Sequence, residues 1–502
     1  MTTLRSLIAA VSFSAFGGLS AAEPATVLLI TSSELKPAWE PFSQWKSASG
    51  LNTKIITIDE ISKNSAKGDI QEKIRLTVRE HIDKHGTKFV ILGGDSLPGG
   101  GGHVPDRDTV HQTMWGKNND IPTDIYYISP TNWDADGDGI YGEWKDDKAA
   151  ITYPDGSVGL GRIPMRTKED VINYTKKVVA YESKYPTKGD FATKLGYLCA
   201  VPQAQPKLKT SWEKHMAKTW KGGSSYRFYT NETPWDKDGA GSFALSPTNF
   251  TDLVNKGDTG KFHIHGHGLW DCWVFERHQK FTANHVSKLS NKGMYPMITT
   301  VSCFTGQYDS PKDPCISESM LRQPGAGAVL IVSPCREGKP HFVNPREGFR
   351  KMSQEGLMDG TTRTMTRFWE TGLTKNLTAG VSLMNVKAEM VEKAKQSPNL
   401  HMCLCELNLL GDPTLSMRAV TPKTPVLTIP KTFPIKGGDL TVDSNSPGAN
   451  VCIWKDGEVF HTTKLDKNGK AKFKIKPMSI GVLRVTITAP NLNTVSRGME
   501  LE

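Results

Sequence analysis

No run of Lys and Arg with interleaved aromatic residues occurs in this 502-residue sequence, and its net charge of +10 is spread along the chain. That argues weakly for anionic surroundings and gives no nucleic-acid footprint. The four-glycine stretch Gly99–Gly102 lacks the G-x-x-x-x-G-K-[ST] pattern, so it reads as a connection and not a phosphate cradle. There is no C-x-x-C knuckle and no H-E-x-x-H, which removes the common zinc signatures. No internal repeat or low-complexity tract occurs. Beyond the N-terminus no apolar run approaches the ~20 residues a bilayer span needs.

The chain has 37% hydrophobic and 23% charged residues, as a water-soluble globular protein does. Its length suggests about three units of roughly 150 residues. At the N-terminus, Arg5, an apolar stretch from Leu7 to Leu19 and Ser20-Ala21-Ala22 read as an export signal over residues 1–22. The mature chain is then expected to start at Glu23, exported and free of a membrane span. Its first strand follows within a few residues, leaving no room for a long propeptide.

Eight cysteines, at 199, 272, 303, 315, 335, 403, 405 and 452, are too irregularly spaced for a disulfide framework. Most are expected to be buried thiols.

From Val27 to Leu92, buried-strand patterns alternate with amphipathic helices, which predicts a parallel sheet covered by helices. Further strands are expected at 158–164, 194–201, 326–333 and 408–417, the last interrupted by a Gly-Asp-Pro turn, and helices at 167–185, 208–220, 249–255, 315–322, 349–358 and 362–395. Beyond Pro422 and Pro425 only short alternating runs separated by Gly and Asn turns remain, a small β-sandwich. The boundaries read as 23–105 for an N-terminal α/β part, 106–421 for the part carrying the site, and 422–502 for the sandwich.

Two motifs carry chemistry. In Trp133-Asp-Ala-Asp-Gly-Asp-Gly-Ile-Tyr-Gly-Glu143, the carboxylates of Asp134, Asp136 and Asp138 stand at alternate positions. Three such groups repel one another unless a hard cation joins them, which points to Ca2+. Ile140 and Glu143 complete the expected ligand set, with Asp146 or Asp147 as alternatives to Glu143. Lys145 occupies the position where an EF-hand has its bidentate Glu, so a helix-loop-helix version fails.

The second lies between Lys261 and Cys315. The strand K-F-H-I-H ends in Gly266-His267-Gly268, and the strand M-I-T-T-V ends in Ser302-Cys303, with a helical segment expected between them. A thiol is mostly protonated near neutrality, so it needs a base. An imidazole at a neighbouring strand end supplies one, the nucleophile–base pair of a cysteine peptidase. The N–H groups of Gly268 and Cys303 are candidate oxyanion donors. His263, His265 and His267 would share one face of an unbroken strand and suggest a metal instead. Leu269, where a fourth ligand would be wanted, and the glycines around His267 favour His267 on a loop.

F-H-I-H-G-H-G, followed by Y-P-M-I-T-T-V-S-C, resembles the gingipain family of cysteine peptidases, peptidase family C25. The resemblance continues through V-G-L-G-R-I-P, D-P-C-I-S-E-S-M-L, G-A-V-L-I-V-S and L-L-G-D-P-T-L-S-M, roughly Val27 to Thr421. It implies a caspase-like, mostly parallel α/β sheet flanked by helices, followed by an immunoglobulin-like module. It also implies a His267/Cys303 dyad, peptide or protein substrates, and an extracellular, periplasmic or cell-surface location in a bacterium. Some members orient the His with a carboxylate after the strand that is Leu195–Val201 here. This chain has Pro202-Gln-Ala-Gln-Pro, so Gln203 or Gln205 would take that role, and Arg/Lys specificity does not carry over. A calcium-binding surface or binding protein on the same fold is the alternative that these departures leave open.

Overall fold

The computed structural model describes residues 25–64, 66–98, 101–112, 118–148, 150–152, 156–200, 225–229, 242–275, 279–312, 314–339 and 360–502. The expected export signal, the expected helices 208–220 and 349–358, and Gln203 and Gln205 lie outside them.

Eleven strands form one sheet. They are β1 Val27–Thr31, β2 Thr53–Thr57, β3 Phe89–Gly93, β4 Gly159–Arg162, β5 Leu195–Cys199, β6 Ser225–Tyr229, β7 Ser242–Ala244, β8 Lys261–His265, β9 Met297–Thr300, β10 Leu330–Pro334 and β11 Leu407–Gly411. Their order across the sheet is β7-β6-β5-β8-β9-β10-β11-β4-β3-β1-β2. Every pairing is parallel except β10 with β11. Strands β1, β5, β8, β9, β10 and β11 are buried along their whole length, as expected of a sheet covered on both faces.

The covering helices begin and end where local chemistry dictates. Helix α1, Lys36–Ala48, has proline in its first turn. Helix α2, Ile70–His85, is capped by the Asp69 carboxylate, which accepts the Glu72 N–H, and ends at Gly86 with φ 67°. Helix α3, Lys168–Ser183, starts with a reciprocal Thr167–Asp170 box. Helix α4 is Pro247–Lys256.

Two expectations are corrected. The segment between β8 and β9 is not mainly helical. Residues His267–Leu269, Cys272–Val274 and Lys280–Thr282 form a small antiparallel sheet, followed by a single turn at Ala283–Val286. Trp273 and Phe281 alternate inward, bury completely, and pack on each other at 5.7 Å. The 362–395 stretch is two helices, Thr361–Thr374 and Ala379–Ala394, separated at Asn376, which has φ 55°. As the Gly-Asp-Pro turn predicts, the last strand of the sheet stops at Gly411, because the Asp412 carboxylate takes both the N–H and the hydroxyl of Thr414 and Pro413 has no N–H to give.

One apolar core extends from Val27 to Met417 and a second from Leu427 to Leu501. The second fills a two-sheet β-sandwich of three and five strands, in which Lys470–Ile475 alternates strictly between exposed and buried. The sandwich docks on the α/β unit through Thr494 N–H to the Glu182 carbonyl (2.8 Å) and Asn493 Nδ2 to the Tyr185 carbonyl (3.0 Å). Beneath that contact, buried Lys46 bridges Glu182 and Asp412 at 2.7 and 2.6 Å. All eight cysteines are free thiols; seven are buried and Cys303 is half-buried. No helix among the described residues is long and apolar enough to cross a membrane.

Candidate active site

Strands β8 and β9 lie side by side, parallel, with Lys261 opposite Met297 and Ile264 opposite Thr300. His267 and Cys303 are 36 positions apart (303 − 267), the offset that also pairs Ile264 with Thr300 (300 − 264). Both residues follow within three positions of the C-terminal ends of these adjacent parallel strands, on the rim where α/β sheets bind ligands.

Both chains turn at that rim. His267 begins the small antiparallel sheet and is exposed, which corrects its expected loop placement. Gly268 beside it is buried, and a β-carbon there would come within 2.7 Å of the Cys303 carbonyl and 2.8 Å of the Ser302 β-carbon. Only glycine permits that approach. Gly266 is similarly constrained, since a β-carbon there would lie 2.8 Å from the Ala200 side chain.

Beyond Cys303, Phe304 adopts φ 60°, a left-handed conformation that is costly for a bulky side chain. Its neighbours hold it there. The Phe304 N–H donates to the Arg336 carbonyl (2.7 Å), and Gly306 N–H donates to the Pro334 carbonyl (2.9 Å). The Thr305 hydroxyl donates to the Ser302 carbonyl (2.8 Å). Arg336 is in turn locked by a two-pronged pair with Asp309 at 2.9 and 2.6 Å.

The Cys303 thiol donates to the Gly338 carbonyl at 3.9 Å. No hydrogen bond joins it to the His267 ring among the described residues. Such bonds are often long in the absence of substrate. Burial pushes the thiol pKa up to about 11, and the carboxyls of Glu406 and Glu337 add to the shift. Neither acid was singled out in the sequence. Glu406 ends the helix Pro398–Glu406 and is wholly buried, with the Cys403 thiol beside its carboxyl. Burial raises its pKa to about 8. Glu337 is half-buried, with one oxygen unpartnered. The available signal for Glu406 was an ionisable residue inside the apolar run M-C-L-C-E-L-N-L-L.

His263 and His265 are not brought into the site. His263 is buried in the sheet, shares a hydrogen bond with Thr299 Oγ1 at 2.8 Å and stacks on Tyr197. Burial holds its ring far below the usual histidine range, and His265 adds to the effect. Among the described residues, the cluster of potential metal ligands is Asp134, Asp136 and Asp138, whose ligand atoms lie within 4.8 Å of one another. Glu143 is raised in pKa by burial and then by Asp138 and the other acids of the loop. Asp147 is committed elsewhere, since its carboxylate accepts the N–H groups of Ala135 and Glu143 and braces the loop. Exposed Ile140 donates its N–H to Asp138 at 2.8 Å.

Comparison with known proteins adds an independent finding. Residues 20–418 match the model of peptidase family C25. Gingipain R2 of Porphyromonas gingivalis is 22% identical over 484 residues, covering 94% of this chain and 57% of the relative. Lys-gingipain HG66 of the same organism is 23% identical over 458 residues, 89% of this chain and 24% of the relative. The chain therefore spans about half or less of the length of these relatives. The solved structure of the Arg specific cysteine proteinase gingipain R superposes with a TM-score of 0.66 at 20% identity, covering 97% of this chain and 100% of that one. The chain belongs to peptidase family C25, a family of cysteine peptidases.

Proposed function

We propose that this member of peptidase family C25 is an exported endopeptidase that cleaves peptide bonds through Cys303 and His267. The observation that carries the reading is the common register of the two strand ends, with the Gly268 main chain against the Cys303 carbonyl. In the reaction, His267 takes the thiol proton as Cys303 sulfur attacks the scissile carbonyl. The N–H groups of Gly268 and Cys303 hold the oxyanion. His267 returns the proton to the leaving amine, giving a thioester, and water, deprotonated by the same ring, releases the acid. Burial raises the thiol pKa, so the sulfur is mostly protonated near neutrality and needs His267 as its base.

The preference we assign is for a cationic side chain beside the scissile bond. Glu337, half-buried and with one oxygen unpartnered among the described residues, is the acid we assign to it, and its coupling to the thiol supports a position near the reacting carbonyl. A bound cation would offset its charge and ease formation of the thiolate. The relatives named Arg specific and Lys-gingipain favour the same class.

The acidic loop would hold Ca2+ through Asp134, Asp136, Asp138 and Glu143, with the Ile140 carbonyl completing the shell, in a structural role. The β-sandwich, immunoglobulin-like in this reading, serves as a docking or spacer module. A positional-scanning peptide library, assayed with calcium and reductant, tests the proposal. The wild type should cleave, with Arg or Lys preferred, and Cys303→Ala should not. Undiminished turnover by Cys303→Ala would refute the nucleophile.

A further inference from the structure

Where the β-sandwich meets the α/β unit there is a cavity of about 420 Å³, walled by the end of α1, Glu182, the Thr414–Arg418 segment and the sandwich strands that contain Cys452 and Thr462. It is distant in sequence and topology from the rim that carries Cys303. Its volume is in the range that accommodates a small organic molecule.

Three of its lining residues carry a buried polar atom with no hydrogen-bond partner among the described residues: Ser49 Oγ, Thr378 Oγ1 and Arg418 Nε. Arg418 is only 3% exposed. Its other two nitrogens donate to the carbonyls of Pro490 (2.9 Å), Leu492 (2.5 Å) and Glu182 (3.3 Å). The guanidinium is thus fixed, with Nε–H left without an acceptor among the described residues. A buried donor without an acceptor is rare in a folded protein and needs an explanation. An acceptor entering the cavity would provide one.

The remaining chemistry narrows the occupant. The charged lining groups are one acid, Glu182, against two bases, Arg418 and Lys464. Lys46 and Asp412 behind the wall offset each other. The balance favours a single negative charge. Eight of the eighteen lining residues carry hydroxyls, which suit a ligand rich in hydroxyls of its own. The mouth is ringed by exposed Thr462, Thr463 and Lys464, so the ligand has a way in.

We propose that this junction cavity binds a small hydroxylated carboxylate, an acidic monosaccharide by chemical class. Its carboxylate meets Arg418 Nε–H and the field of Lys464. Its hydroxyls meet Ser49, Thr378 and the Glu182 carboxylate. Because the walls come from both units, binding clamps the sandwich to the α/β unit.

Titration calorimetry on the whole chain, with sodium glucuronate as the probe, tests this. One-site binding is expected, with glucose at least about tenfold weaker because it lacks the charge. Thr463→Trp, at the exposed mouth, is expected to abolish binding while leaving the melting temperature without ligand unchanged. Thr378→Val and Ser49→Ala, which leave the shape nearly intact, are each expected to weaken it severalfold. Cys303→Ala should bind like the wild type, which separates this cavity from the active site. Absence of saturable heat up to about 20 mM glucuronate, equal binding of glucose, or unchanged binding by the folded Thr463→Trp or by the Thr378→Val and Ser49→Ala pair would each overturn the proposal.

Discussion

Gly268 faces the Cys303 carbonyl with no room for a side chain between them: a β-carbon at 268 would sit 2.7 Å from that oxygen. That oxygen belongs to backbone and has little freedom to retreat. Gly268→Ala is therefore expected to displace the hairpin bearing His267 from the nucleophile's turn. A fall in kcat of about a hundredfold, with a smaller change in KM, is the expected result of such a misplacement. Steady-state kinetics with a peptide substrate checks it, alongside circular dichroism to show that the fold survives.

The strained turn after Cys303 depends on a buried ion pair. Arg336 and Asp309 are each about 8% exposed at the side chain, and the Arg336 carbonyl receives the Phe304 N–H. Asp309→Ala would leave the guanidinium buried and unpaired, at a cost of about 3–5 kcal/mol. Urea unfolding measures that loss. Asp309→Glu, which keeps the charge, should recover part of it.

Glu406 gives the protein a pH dependence of definite sign. Its carboxyl titrates near 8 in the folded state, raised by burial from a usual value of 4.5. The folded state therefore holds this proton more tightly than the unfolded chain. The stabilisation is full below about 4.5 and is lost as pH rises through about 8. The groups that face it are Cys403, Lys339, Glu337, Cys405 and Cys303. Unfolding free energies at acidic, neutral and mildly alkaline pH should decline more steeply for the wild type than for Glu406→Gln. Parallel curves would show that Glu406 is not the titrating group.

Calcium should reverse the sign of one substitution. The carboxylates of Asp134, Asp136 and Asp138 crowd within 4.8 Å, so Asp136→Asn relieves repulsion when no cation is present. In chelator the variant should melt at or above the wild-type temperature. With millimolar-scale calcium added, the wild type should gain stability and the variant should gain less. Differential scanning calorimetry in the two buffers separates these outcomes.

Much of this arrangement could be read before the fold was known. The parallel sheet was legible because strands such as Val27-Leu-Leu-Ile30 are apolar on both faces and stand between helices with clear stops, for example Gly86. Glycines flanking His267 marked it as special, and the structure gives a steric reason in the approach of Gly268 to Cys303. The hairpin between β8 and β9 was missed because Trp273, Phe275 and Phe281 can satisfy a helical stripe or a strand face, and only the tertiary core decides between them. Glu337 and Glu406 were missed for a different reason. They lie 34 and 103 positions beyond Cys303 (337 − 303 and 406 − 303), and only folding brings them to the thiol. The Gly411-Asp412-Pro413 turn was legible as a break in the strand from Asn408, and the structure adds that the buried Asp412 carboxylate is satisfied locally and by Lys46.

The pairing of sulfur and ring is best tested by the rate at which a peptidyl electrophile with a basic residue labels Cys303, followed by mass spectrometry in the wild type and in His267→Ala. The other thiols are buried, so the adduct should fall on a single peptide. Rapid labelling of the wild type, slowed at least about a hundredfold by loss of the imidazole, is the expected result. Equal rates in the two proteins, or continued peptide cleavage after Cys303→Ala, would contradict a dyad at these positions.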